Sequence, residues 1–199
     1  MTFCRPSKWL RELLLCGLLL AGSAGANAAD TPALTGGPYV PTPQRVVDAM
    51  LAVANVSDRD YVIDLGSGDG RIVITAAQKF GARGKGYDID GELVERSTAS
   101  AAKLKLGDRV RFEKRDVLQA DLRDATVITL YLLPAMMLEL RAKLLRELKP
   151  GTRIVSHDFD FGDWQPERTL HLDLDEKYDI TGSWSSTVYL WTVPDRAKK

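Results

Sequence analysis

Short strand-like runs alternate with stretches whose apolar positions recur every three or four residues, from about residue 43 to residue 157. The short runs are residues 61–65, 84–88, 109–114, 125–130 and 152–157, and the first of them has the look of a strand buried in a sheet. Between them, Val46, Val47, Met50, Leu51 and Ala54 mark one helical face, with Thr42 placed to cap and Pro43 in the first turn. Ile72, Val73, Ala76, Ala77 and Phe80 mark a second helix that Gly81 is placed to stop. A third helix is expected from about residue 92 to 106, ending at Gly107. A fourth comes after Leu133 and Pro134, is marked by Met137, Leu140, Leu144, Leu145 and Leu148, and is closed by Lys149, Pro150 and Gly151. Strand–helix alternation of this kind predicts an α/β, doubly wound sheet with parallel strands. After residues 164–166 the pattern changes to two strand-like runs, 169–174 and 186–193, with no convincing helix between them, so these two should pair antiparallel. The expected sheet thus has seven strands, mostly parallel, with an antiparallel C-terminal strand.

The first residues change the picture of where the chain works. Arg5, Lys8 and Arg11 precede an apolar stretch at residues 13–22, and Ala26, Asn27 and Ala28 offer small residues for cleavage. The apolar stretch is about half the ~20 residues that a membrane-spanning helix needs, so a cleaved signal peptide over residues 1–29 is expected, with an N-terminal membrane anchor as the alternative. Positive residues before the apolar stretch favour export of the chain beyond it, which points to a periplasmic location. Residues 30–42, rich in Gly, Pro and Thr, read as an extended lead-in, and residues 43–199 as one folded domain.

Both cysteines, Cys4 and Cys16, fall in this leader, so the remaining domain needs neither disulfides nor a thiolate metal site. The leader carries three cations and Glu12. Removing it turns 27 basic against 27 acidic residues into 24 against 26, a net charge of −2. Nucleic-acid binding driven by bulk charge is therefore not expected. A monomer is expected, and membrane association stays open.

The candidate chemistry lies in YVIDLGSGDGRIVITAA, residues 61–77, where a buried-type run ends in Asp64 and breaks into Gly66, Gly68 and Gly70 before a helix. In open parallel sheets, ligands bind beyond the carboxyl ends of the strands where strand order reverses. Glycines there let the backbone approach a nucleotide-like ligand. The spacing is Asp-x-Gly-x-Gly-x-Gly, not G-x-G-x-x-G, and the lysine of a P-loop is missing, so a pyrophosphate group is not the favoured ligand. Asp88 ends the next strand in GYDID, and Asp116 comes after the third in RDV. Taken singly, Asp64 could cap a turn and Asp116 could be a solvated loop residue. Asp90 reads better as a helix cap.

Three acidic positions after three successive strands resemble the class I S-adenosylmethionine-dependent methyltransferases, which have a Rossmann-like fold. The resemblance implies that Asp64, Gly66, Gly68 and Gly70 form the first cofactor motif. It also implies that Asp88 accepts hydrogen bonds from both ribose hydroxyls, and that Asp116 and the Val117 amide face the adenine. An Asp at an exposed strand end would matter to such a ligand and little to the fold. PYVPTP at residues 38–43, TLYLLP at 129–134 and the Trp164, Gln165, Pro166 segment make the likeness narrower. Together they resemble the small lysine methyltransferases of mitochondrial adenine nucleotide translocase and ATP synthase subunit c, with their bacterial relatives. DLGSG is also similar to the seven-strand histone-lysine methyltransferases of the telomeric-silencing type. The chain departs from the mitochondrial enzymes in its export-type leader and in VSHDFDF before the Trp.

The resemblance implies S-adenosyl-L-methionine as cofactor and no metal. It implies a Tyr39 segment folded over the cofactor and an acceptor channel lined by residues 129–134. Tyr131 is then the candidate catalytic residue, positioning the acceptor nitrogen through its hydroxyl or ring face, with a packed aromatic as the plain alternative. Protein lysine is the implied acceptor. A small-molecule acceptor, or a protein that binds the cofactor without using it, stays open. His157 and Asp158 could form a proton-accepting pair, although a strand-end His more often caps a loop. His171 reads as a surface residue and Trp164 as loop packing.

Overall fold

In a computed structural model, Met1, residues 37–173, Gly182 and residues 185–195 are described. The expected leader after Met1 and the first part of the lead-in lie outside the described residues, as does Leu174 at the end of the sixth expected strand.

The chain runs α1 (Gln44–Val53), β1 (Tyr61–Leu65), α2 (Arg71–Phe80), β2 (Arg83–Asp88), α3 (Gly91–Lys103), β3 (Val110–Lys114), a 3₁₀ turn (Val117–Gln119) and β4 (Val127–Leu130). It continues with α4 (Pro134–Glu147), β5 (Arg153–His157), β6 (Arg168–Asp173) and β7 (Ser185–Thr192). The seven strands form one sheet in the order β3-β2-β1-β4-β5-β7-β6, in which β3 through β5 are parallel and β7 is antiparallel to both β5 and β6. Strand order reverses between β1 and β4, which opens a crevice at their carboxyl ends.

The apolar positions lie side by side in the central strands because both faces of these strands are covered. Ile63, Leu65, Ile128, Leu130 and Ile154 pack on one face with Met137, Leu140 and Leu144 of α4. Val62, Val127 and Val155 point the other way, into a cluster with Val46, Val47, Met50 and Leu51 of α1 and Ile72 and Ala76 of α2. Farther along that side, Val73 and Ala77 of α2 meet Ala101 of α3 and Val110 of β3.

Some boundaries differ from expectation for local reasons. The third helix stops at Lys103, because Lys105 takes a left-handed φ of 58° and Leu106 N–H folds back to the Ala101 carbonyl at 2.9 Å. The helix stop is therefore Lys105 and not Gly107. β4 starts at Val127, and just before it Tyr61 N–H donates at 2.9 Å to the Thr126 hydroxyl, which donates to Asp60 at 2.7 Å, so a side chain takes the amide that a ladder carbonyl would otherwise receive. Asp90 does cap α3, accepting from the Glu92 and Leu93 amides. Trp164 packs a loop as expected, with its ring 5.3 Å from Phe161 and its carbonyl accepting from Trp191 Nε1. His171 is exposed, beside Thr187.

Candidate active site

A cavity of about 450 Å³ occupies the crevice at the carboxyl ends of β1, β2 and β4. Asp64, Gly66, Gly68, Asp88, Asp116, Val117, Tyr39 and Tyr131 all line it. These positions come from well-separated segments of sequence, so the fold brings together nearly the whole expected set. Gly70 is the exception. It has φ 81° as the residue before α2, and a Cβ there would lie within 2.8 Å of Phe112 and Ser97, so it secures packing of the loop against β3 and α3 rather than facing the cavity.

The glycine loop is pinned to the end of β2. Gly66 and Ser67 N–H both donate to the Tyr87 carbonyl, at 2.9 and 3.0 Å, and Gly68 N–H donates to Asp88 Oδ2 at 2.7 Å. Gly68 has φ 53°, and a Cβ on it would come within 2.5 Å of the Tyr39 ring, so only glycine lets that ring lie against the loop.

Asp88 corrects one expectation. It is only 8% exposed and holds two backbone amides, Gly68 on Oδ2 and Asp90 on Oδ1 at 2.9 Å. It therefore supports the fold of the loop as well as facing the cavity. An ionised carboxylate has about four lone-pair sites, so each oxygen keeps capacity for a ligand hydroxyl. Asp116 has the same dual character, since Oδ1 caps the 3₁₀ turn by accepting from Leu118 N–H at 2.9 Å.

Asp64 lies at the cavity floor, 2% exposed, and accepts from the Thr129 hydroxyl at 2.6 Å. Burial pushes its carboxyl up to about 7; the Thr129 bond opposes this, and the nearby Asp88 and Asp69 charges add to it. A cationic ligand group would favour its ionised form.

Tyr131 comes directly after β4 and is half-buried. Its ring lies 4.0 Å from the His157 ring and 6.1 Å from Phe159, centroid to centroid. Burial, and then the Asp158 charge, push its phenol up to about 12, so it keeps its proton at neutral pH. His157 is fully buried behind it, with Nε2 2.9 Å from Ser186 Oγ and 3.4 Å from Asp158 Oδ2. Neither His157 nor Asp158 lines the cavity, and the His157 ring buttresses Tyr131 by packing against it. Asp158 sits at φ 62°, held by Thr187, whose carbonyl accepts from Asp158 N–H and whose N–H donates to Asp158 Oδ1.

Asp69 and Arg71 also line the cavity, although neither belongs to the expected set. Arg71 Nε and Nη2 fork onto Asp69, at 2.9 and 2.7 Å, and Nη1 donates to the Thr42 carbonyl at 2.9 Å. One sequence signal points to the pair: a cation in the first turn of a helix opposes the helix dipole, so its side chain is to be looked for in another use.

The acceptor groups and the volume of the cavity fit an adenosine-bearing cofactor. Carboxylates at the end of β2 and after β3 stand where hydroxyls and an amino group can be met, and at Gly66 and Gly68 the loop presents bare backbone. Among the described residues, no group of three or more His, Cys, Asp or Glu could hold a metal ion, and no helix is long and apolar enough to cross a membrane.

The profile of the family described as "ANTKMT methyltransferase domain" matches residues 64–168. A protein-lysine N-methyltransferase of Saccharolobus islandicus is 40% identical over 157 residues, covering 78% of this chain and 93% of that one. An adenine nucleotide translocase lysine N-methyltransferase of Mus musculus is 33% identical over 162 residues, covering 80% and 70%. Among solved structures, an RNA methyltransferase from Salinibacter ruber in complex with S-adenosyl-L-homocysteine is 48% identical with a TM-score of 0.71, covering 79% of this chain and 95% of that one.

Proposed function

The chain belongs to the ANTKMT methyltransferase domain family and is an S-adenosylmethionine-dependent methyltransferase, and we propose that its methyl acceptor is the side-chain amine of a lysine in a protein. The observation that carries this reading is the meeting of the carboxylate-lined cavity with Tyr131, a buttressed and protonated phenol at the end of β4. The lysine-modifying relatives, matched over about four-fifths of the chain, support the same acceptor.

When bound, the cofactor would supply an electrophilic methyl group on its sulfonium; a neutral amine would attack that carbon in line, the N–C bond forming as the C–S bond breaks and S-adenosylhomocysteine leaves. Asp88 and Asp116 are proposed to take the ribose hydroxyls and the adenine amino group, with the Val117 amide facing the ring and Gly66 and Gly68 allowing close approach. Asp64 is proposed to face the positive end of the cofactor. Tyr39, lying on Gly68, would cover the cavity and exclude water. A lysine must be neutral to attack, and the low-polarity surroundings of Tyr131, Leu132 and Met136 lower the pKa of an amine brought among them. The Tyr131 oxygen would accept from the amine N–H and aim its lone pair; a phenol that keeps its proton near neutrality orients rather than deprotonates. The chain's contribution is positioning, the main requirement of such a displacement.

An RNA acceptor is the second reading, favoured by the likeness to the Salinibacter ruber enzyme. The even balance of 27 basic and 27 acidic residues weighs against it. Incubating the full-length chain and methyl-labelled cofactor with a cell extract, then separating protein, RNA and small molecules, tests both. Label in lysine of a protein is expected, and label confined to RNA or to small molecules overturns the proposal.

Export is proposed from the leader alone, on the order of Arg5, Lys8 and Arg11 before residues 13–22. Fractionation of cells should find the chain outside the cytosol and shortened by about the length of the leader. A full-length cytosolic protein contradicts this.

A further inference from the structure

The segment that precedes α1 crosses the mouth of the cofactor cavity and is fastened at three places. A side chain at Gly37 would run into Leu133, which shows how closely the segment's start lies against the loop before α4. In the middle, the Tyr39 ring rests on Gly68. At the far end, the Thr42 carbonyl receives Arg71 Nη1 at 2.9 Å. The first two contacts are apolar packing. The third is a charge-assisted bond from a guanidinium whose other two engaged nitrogens are fixed by the Asp69 carboxylate.

We propose that Arg71 and Asp69 are positioning residues that latch residues 37–42 over bound cofactor, so that opening of this pair sets how fast cofactor and product leave. Asp69 lies between Gly68 and Gly70 and orients the guanidinium; the guanidinium reaches the backbone of a segment 29 residues earlier. A planar fork can hold a carboxylate with one edge and present a remaining N–H to a carbonyl, which a lysine ammonium does far less well. Tyr39 lies beside the same pair, since the Asp69 charge adds to burial in raising its phenol. The latch thus ties the end of the segment to a glycine loop on which its middle, Tyr39, already packs. Thr42 offers only its backbone oxygen, and Pro43 already accepts the first helical bonds from Val46 and Val47, so this end of the segment is anchored next to α1. The inference rests on the cofactor and not on the identity of the acceptor.

The test is stopped-flow dissociation of two ligands from the full-length chain: S-adenosylhomocysteine and 5′-methylthioadenosine, which lacks the amino-acid carboxylate. Arg71→Met should speed dissociation of both by about tenfold, the worth of one charge-assisted bond. Arg71→Lys should recover only part of the loss. Hydrogen exchange at the amides of Tyr39, Val40 and Thr42 should quicken in Arg71→Met while amides in α4 keep their protection. Asp69→Asn carries the same test should Arg71→Met fail to fold, and unfolding midpoints identify that case. A loss confined to S-adenosylhomocysteine would make Arg71 a direct ligand of the amino-acid carboxylate and overturn the latch. Unchanged dissociation of both ligands from folded variants would also overturn it.

Discussion

The Thr129 hydroxyl donates to the Asp64 carboxylate at 2.6 Å, between residues that are register partners on β1 and β4, the two strands where the sheet reverses. The bond fixes the buried acid at the cavity floor and leaves its ionisation to be decided by what enters the cavity.

Cofactor affinity should therefore depend on pH. In the free chain the Asp64 carboxyl stands at about 7, raised by burial, and a positively charged ligand favours the ionised form. Below that pH, binding must release a proton, so affinity should fall by up to about tenfold per pH unit. Titration calorimetry between pH 5.5 and 8 checks this, with Asp64→Asn expected to show weaker and nearly pH-independent binding.

The same group acts on stability with the opposite sign to an ordinary Asp. Its folded value lies above the usual 3.8, so the native state binds more protons than the unfolded one between those values. The stability it contributes is fully present below 3.8 and is lost as pH rises through about 7, by at most about 4 kcal/mol. Asp64→Asn, which can still accept from Thr129, should unfold at higher denaturant than the parent chain at pH 8, and the gap should close toward pH 4.

Asp88→Ala should harm both fold and binding. It strips acceptors from the Gly68 and Asp90 amides, which costs about 1–3 kcal/mol of stability. Binding of S-adenosylmethionine should weaken by more than the stability change accounts for, as measured in the folded fraction at saturating osmolyte. Unchanged affinity there would place the ribose elsewhere.

A control lies at the opposite end of the strands. Asp60, before β1, accepts from Ser57 and Thr126 and pairs with Arg153, whose Nη1 also donates to the Ala54 and Asn55 carbonyls. Arg153→Met leaves a buried acid without its cation and should cost about 2–4 kcal/mol. Cofactor affinity of the folded variant should not change, since none of these residues lines the cavity.

The parallel core is legible in the chain because strands such as Val127–Leu130 are buried on both faces and so read as short, mostly apolar runs. Asp88 and Asp116 stand out because each lies at or just past the end of a strand. What the chain conceals is tertiary. Nothing local marks Asp88 as the holder of the Gly68 amide twenty residues away, or links Arg71 to Thr42. His157 reads as a strand-end residue that caps a loop or pairs with Asp158, and nothing local shows that β7, arriving from the C-terminal part, buries it against Ser186. Thr129 is a quieter clue to the Asp64 bond, a hydroxyl in a run otherwise apolar.

Tyr131→Phe separates acceptor chemistry from cofactor binding. Removing the hydroxyl should lower turnover by about tenfold, the worth of one hydrogen bond, while cofactor affinity measured by calorimetry stays put. Equal loss of both would make Tyr131 a support of the cofactor site.

Transfer to a protein lysine is the central claim, and quantitative mass spectrometry of cells with and without the gene addresses it most directly. One or a few methylated lysines should vanish on deletion, return with the parent chain, and fail to return with Asp88→Ala. An unchanged set of methyllysines, alongside an RNA or small-molecule methyl group lost on deletion, would contradict it.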